Sequence, residues 1–150
     1  MQDLTRLWAF CENNFKLRGH THGPVHWRQV EKNGLAIAAE NGASTEFVRL
    51  FAALHDSCRE NESFDPEHGL RAATLAKELR GRLFDLDDVM LDKLVVCCTK
   101  HDKGATSPDL EIGTCWDADR LDLPRVGITP DEQYFSTEAA KRMLVGARRW

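Results

Sequence analysis

The segment Phe47–Asp56, FVRLFAALHD, is apolar almost all the way round a helical circumference. A helix of that kind has no face to give to water, so it is expected to run through the centre of a domain with other helices packed around it. Elsewhere apolar residues recur at three- and four-residue steps, and no stretch of strict alternation is long enough for a strand. The chain therefore reads as all-α, a compact single-domain bundle of six or seven helices.

Local signals divide it. A first helix is expected from about Asp3 to Leu17, ending before Gly19, and a second from Pro24, an early helical position, to Asn41, stopping at Gly42. Ser44 caps a third over Thr45 to about Asp56. The polar run RENESFDPEH is a loop before a fourth helix near Pro66–Arg80, which Gly81 ends, and a fifth covers Leu86–His101. Residues Lys103–Pro108 form a loop, a sixth helix runs from about Ile112 to Leu123 and is closed by Pro124, and VGITPDEQYF is irregular. Ser136 or Thr137 caps the last helix, TEAAKRMLVGARR.

The 150 residues suit one domain spanning the chain, with a core large enough to fold without staples. Twenty Lys and Arg against 24 Asp and Glu give a net charge of -4, the wrong sign for gripping a nucleic-acid polymer, although arginines focused locally can still hold a small anion. The five cysteines, Cys11, Cys58, Cys97, Cys98 and Cys115, form no C-x-x-C pair, and one is left over in any full disulfide scheme. Reduced thiols in a cytoplasm are the simplest reading. The opening MQDLTRLWAF carries no basic region followed by an apolar one, so no secretory signal is expected. The longest apolar runs, Leu35–Ala39 and Leu94–Cys98, are far too short to span a membrane.

Within this frame, His26, His55, Asp56, His68, His101 and Asp119 follow one another along successive helices. Helical spacing decides which way they face. His68 continues the stripe Ala72, Leu75, Ala76 and Leu79, and His101 extends Met90, Leu94, Cys97 and Cys98. His55 lies four residues past Phe51, and Asp119 four past Cys115. Any one inward histidine is more often a hydrogen-bonded core residue than a ligand. Six imidazoles and carboxylates turned inward together are not explained that way, because a buried carboxylate among imidazoles is costly without a compensating cation. Imidazole and carboxylate are also the donors that hold divalent transition metals.

The segments HGPVHW (His22–Trp27), LHDSCRE (Leu54–Glu60), EHGLRAA (Glu67–Ala73), KHDKG (Lys100–Gly104) and WDADRLDL (Trp116–Leu123) resemble the HD-domain superfamily over most of the chain. The resemblance implies that His26, the pair His55 and Asp56, the added histidines His68 and His101, and the closing Asp119 hold divalent metal, with two ions bridged by Asp56. Asp119 is preferred to Asp117 because Ala118-Asp119-Arg120 is similar to the family's closing A-D-x step. His22 is a weaker rival to His26, and His20 weaker still. Mn, Fe, Ni, Co, Zn and Mg are not distinguished by such ligands.

A metal-dependent phosphohydrolase is the activity so implied, with a hydroxide on the metal as nucleophile and a small phosphorylated compound, a nucleotide by resemblance, as substrate. Catalytic candidates are Asp56, Arg59 and Glu60, the last as a general acid. Arg28, Arg59, Lys103 and Arg120 lie close in sequence to the ligands and are candidates for holding phosphate, Arg59 first among them. Cys58 beside the pair has no activating base outside the ligand set, so a thiol nucleophile is not expected. Only twelve residues separate Asp56 from His68, which leaves no room for a large lid, and the roof of a pocket is assigned to Lys103–Asp109 and Val126–Phe135. Two other classes stay open: a di-iron oxygenase built on the same six ligands, and a non-catalytic metal-stabilised sensor or interaction module. The oligomeric state is open.

Overall fold

The computed structural model describes residues 2–19 and 21–148 and is all-helical. Seven α-helices occur among the described residues: α1 (Thr5–Asn14), α2 (Pro24–Asn41), α3 (Thr45–Leu54), α4 (His68–Leu79), α5 (Asp88–Lys100), α6 (Leu110–Arg120) and α7 (Glu138–Arg148). The expected ends of α7 at Arg149 and the rival ligand His20 lie outside the described residues.

Caps account for most helix starts. Ser44 Oγ accepts from Phe47 N at α3, Asp87 from Met90 N at α5, Asp109 from Ile112 N at α6, and Thr137 Oγ1 from Ala140 N at α7. Pro24 stands in the first turn of α2, and Gly42 ends that helix in the left-handed region at φ 80°, its N–H bonded to Ala38 O. The α2 boundaries are those expected.

Other ends moved, each through a tertiary contact or a local competitor. α1 stops at Asn14 because Phe15 turns to extended backbone and packs edge-on against Trp27, with ring centroids 5.1 Å apart. α3 closes at Leu54, two residues before the expected end. Ser57 Oγ and Ser57 N both bond Leu54 O, so the chain tightens through His55–Cys58 into a turn. α4 begins at His68, since Pro66 and Glu67 belong to the preceding turn. α6 ends at Arg120, and Pro124 opens a 3-10 turn over Leu123–Val126 rather than closing the helix. A second 3-10 turn, Glu132–Tyr134, interrupts the segment expected to be irregular.

α3 is the central helix: it touches α1, α2, α4, α5 and α6, and Phe47, Val48, Leu50, Phe51, Ala52, Ala53 and Leu54 are all buried. Each large apolar side chain so buried contributes about 1.5–3 kcal/mol to folding. α4 and α5 approach most tightly at Gly69, where a Cβ would meet Cys98 O at 2.4 Å. Only glycine permits that approach, and it brings the start of α4 beside the end of α5. All five cysteines are free; Cys11, Cys97, Cys98 and Cys115 are buried. Burial pushes the Cys11 thiol up to about 12 and also raises those of Cys97, Cys98 and Cys58. None of these four supplies a thiolate at neutral pH. No described helix is long and apolar enough to cross a membrane.

Candidate metal centre

Helix ends converge on one point. The turn after α3 carries His55 and Asp56, the first residue of α4 is His68, the residue after α5 is His101, the last turn of α6 carries Asp119, and the first turn of α2 carries His26. His26, His55, Asp56, His68 and His101 are buried, and the Asp119 side chain is 15% exposed.

Asp56 stands in the middle, and its two oxygens face different partners. Oδ2 lies 3.3 Å from His26 Nε2 and 3.6 Å from His55 Nε2. Oδ1 lies 3.1 Å from His68 Nε2 and 3.4 Å from His101 Nε2. Asp119 Oδ1 joins the first set, 3.0 Å from His26 Nε2 and 3.5 Å from His55 Nε2. Two groups of metal-ligand type result, His26–His55–Asp56 and Asp56–His68–His101, sharing Asp56.

The outer nitrogen of every ring is spoken for. His55 Nδ1 lies 3.1 Å from both Phe51 O and Ala52 O, His68 Nδ1 2.6 Å from Asp65 O, and His101 Nδ1 2.7 Å from Cys98 O. His26 Nδ1 lies 2.7 Å from Asp122 Oδ2. Carbonyl and carboxylate oxygens only accept, so each Nδ1 carries a proton and each Nε2 is left to face the cluster, where it offers a lone pair whenever the ring is neutral. Yet the Nε2 atoms of His26 and His55 are 3.2 Å apart, and those of His68 and His101 are 3.0 Å apart. Facing lone pairs at that distance, beside a carboxylate, repel unless a cation or a proton sits among them. Ligand bonds of about 2.1 Å give polyhedron edges of about 3.0–3.4 Å, so the spacing fits divalent cations at both groups.

Ionisation within the cluster follows the same logic. Burial alone would depress His26, but the carboxylates of Asp119, Asp122 and Asp56 outweigh it and hold the imidazole up to about 10. Burial wins at His55, which is pulled down despite Asp56. His101 is raised, because Asp56 and Asp119 overcome its burial. Asp56 and Asp119 are held well below the carboxylate range: burial opposes this, but His55 and His101 act on the first and His26 and His55 on the second. Both carboxylates are anionic at neutral pH, as metal ligands must be.

A cavity of about 350 Å³ opens over Asp56, His68, His101 and Asp119. Gly104 and residues of Val126–Phe135 line its outer part, in line with the roof expected there. Arg59 and Arg120 are in the wall. Arg120 donates from Nη1 to Ala105 O and Tyr134 O, both 2.6 Å away, and so ties both roof segments to α6. Its buried Nη2 has no hydrogen-bond partner, and the buried Nε of Arg59 has none either but is ion-paired with Asp56 Oδ1 at 3.6 Å.

Three sequence-based candidates lie elsewhere. Arg28 stacks 3.7 Å over the Trp8 ring and pairs with Glu12 and Glu31, because two residues past His26 is about 200° round the helix, on the opposite face. Glu60 is half exposed, pairs with Arg71 and Lys16, and lines a separate cleft. Lys103 does not line the cavity: its Nζ donates to Pro66 O and pairs with Asp102, which does. Asp117 is buried but faces away: its carboxylate accepts from Ser136 N, Thr137 N and Thr137 Oγ1, so it caps α7. Burial pushes its pKa up.

Asp122 and Arg125 were not among the residues expected at the site, and His22, expected to be a weaker ligand than His26, stands outside the two ligand groups. Asp122 orients His26; the only trace of this was its position three residues past Asp119 in WDADRLDL. His22 lines the cavity, its Nδ1 3.7 Å from Asp56 Oδ2, and Arg125 lines it too.

No family model and no curated protein matches the sequence. Among solved structures, the fold matches a predicted HD superfamily hydrolase from an uncultured Thermotogales bacterium, with a TM-score of 0.77 and 23% identity over 96% of this chain and 84% of that one. The chain thus shares the all-helical fold of that structure, in keeping with the fold its motifs implied by resemblance.

Proposed function

We propose that this chain is a metal-dependent phosphohydrolase of small phosphorylated compounds, with His26, His55, Asp56 and Asp119 holding one divalent cation and Asp56, His68 and His101 a second. One observation carries the reading: the two oxygens of a single buried carboxylate are divided between two pairs of inward-facing imidazole nitrogens. Divalent cations held there supply acidity to a water and neutralise charge on phosphoryl oxygens. The mixed nitrogen and oxygen donors suit Mn, Fe, Co, Ni or Zn, and Mg less. The hydrolase named among the solved structures of like fold supports the reaction class.

The residues of the chain do the rest. Backbone carbonyls and Asp122 fix each imidazole with its Nε2 inward, and Asp56, anionic at neutral pH, spans both groups. The guanidinium groups of Arg59 and Arg120 are cations in the cavity wall, a type of group suited to phosphoryl oxygens through charge-assisted hydrogen bonds. Those cations favour an oxyanion substrate over the oxygenase and sensor alternatives.

The test is to strip the protein of metal, restore Mn, Co, Ni, Zn or Mg singly, and measure phosphate release from a panel of phosphate esters together with oxygen consumption. Metal-dependent phosphate release that Asp56→Ala abolishes is the expected result. Oxygen uptake without phosphate release, or release that needs no metal, refutes the proposal.

A further inference from the structure

The cavity walls are not uniform, and their charge is graded with depth. Cations lie deep: Arg59 and Arg120 are buried next to the Asp56 cluster. At the mouth the lining turns apolar and acidic. Val126, Ile128 and Tyr134 line it while 37%, 51% and 46% exposed, and the carboxylates of Asp102 and Asp131 stand on the same rim. Exposed apolar side chains gathered round a cavity mouth mark a place for an apolar or flat group.

A third cation sits between these zones. Arg125 Nε donates to Thr21 O at 2.6 Å, Nη1 to Asp122 O at 3.1 Å and Nη2 to His22 Nδ1 at 3.3 Å. His22 is fixed in turn, its Nε2–H donating to Glu62 O at 3.1 Å. The guanidinium is therefore held rigidly beside the cluster, and each Nη keeps a second N–H. A planar donor immobilised in advance loses little entropy on gripping an oxyanion.

Resting on the phosphohydrolase reading, we infer that the substrate is the phosphate monoester of an alcohol bearing an apolar or flat ring with hydroxyl or amino groups, and that Arg125 is a specificity-determining residue that grips its phosphate. A single phosphate reaches the deep arginines. The ring lies against Val126, Ile128 and Tyr134, and its donors meet Asp102 and Asp131. A second or third phosphate would fall beside the Asp131 carboxylate, where like charge opposes it, the Asp102 carboxylate being paired with Lys103. A cavity of about 350 Å³ also lies at the small end of ligand sites, about 300–1,000 Å³.

The experiment uses the metal-loaded protein in two arms. In the first, kcat/KM is compared for adenosine 5′-monophosphate, adenosine 5′-triphosphate and inorganic pyrophosphate. The monoester is expected to lead by about tenfold or more, and Asp131→Lys to narrow that lead. In the second, binding of phenylphosphonate is followed by calorimetry in wild type and Arg125→Met. The loss of one charge-assisted grip is expected to weaken binding about ten- to a hundredfold with metal content unchanged. Equal use of the triphosphate or pyrophosphate, or binding indifferent to Arg125→Met, overturns the inference. If no ester is cleaved but phenylphosphonate binds in an Arg125-dependent way, the hydrolase reading fails while the monoester site stands.

Discussion

Asp122 offers the sharpest probe of how the cluster is organised, because it touches a proposed ligand without being one. Its Oδ2 accepts from His26 Nδ1 at 2.7 Å, from a side chain only 20% exposed. A hydrogen bond to a charged partner is worth about 1.5–3 kcal/mol, or roughly ten- to a hundred-and-fifty-fold in an equilibrium constant. Partial exposure places this one in the lower half of that range, and removal of such a supporting bond typically weakens metal binding about ten- to a hundredfold. Asp122→Ala is therefore expected to weaken binding at the His26 group by about ten- to fiftyfold. Asp122→Asn keeps an acceptor oxygen but loses the charge, and is expected to cost about three- to tenfold.

Asp102 is the internal control. It lies 3.6 Å from His68 Nδ1, which already bonds Asp65 O at 2.6 Å, so Asp102→Asn should change affinity by less than about twofold. Chelator-competition titration with Zn or Mn reads all three variants. Unchanged affinity in Asp122→Ala, or an equal loss in Asp102→Asn, would show that hydrogen bonding at Nδ1 does not govern how these imidazoles present Nε2.

Three further expectations follow from the same contacts. Asp117→Ala removes the acceptor for Ser136 N, Thr137 N and Thr137 Oγ1 and should cost about 2–4 kcal/mol in denaturant unfolding while metal stoichiometry holds, whereas Asp119→Ala should lose metal. Gly69→Ala drives a Cβ against Cys98 O and Thr99 O and should lower stability by about 1–3 kcal/mol and weaken metal binding at His68 and His101, whereas Gly146→Ala, which meets nothing within 4 Å, should be neutral or stabilising. In the metal-free chain the His26 pKa is raised from 6.5 to about 10, so the stability from its protonated form is fully present below 6.5 and is lost as pH rises through 10. Melting temperature without metal should accordingly fall across that window, and saturating metal should flatten the decline by displacing the proton.

Local chemistry was legible in the chain and long-range chemistry was not. Pro24 and Gly42 set both ends of α2 through their own backbone preferences, so those boundaries could be read directly. The inward faces of His68 and His101 followed from helical periodicity, because Ala72 and Ala76 after the first and Cys97 and Cys98 before the second are core. The early stops of α1 and α3 depend on Phe15 meeting Trp27 and on Ser57 capturing Leu54 O, which no period reveals. Arg28 was misplaced by treating nearness in sequence as nearness in space, although the helix angle alone would have turned it away. Asp122 and Arg125 lie after α6, in a segment without periodicity, and acquire their roles only when it folds back beside α2.

The central claim is that Asp56 is shared between two cations, and metal stoichiometry tests it most directly. Plasma mass spectrometry on protein loaded with Mn or Zn and freed of excess should find two ions per chain in wild type, one in the double variant His68→Ala, His101→Ala, and neither tightly held in Asp56→Ala with helical circular dichroism intact. A single ion that survives both the loss of His68 with His101 and the loss of Asp56 would contradict it.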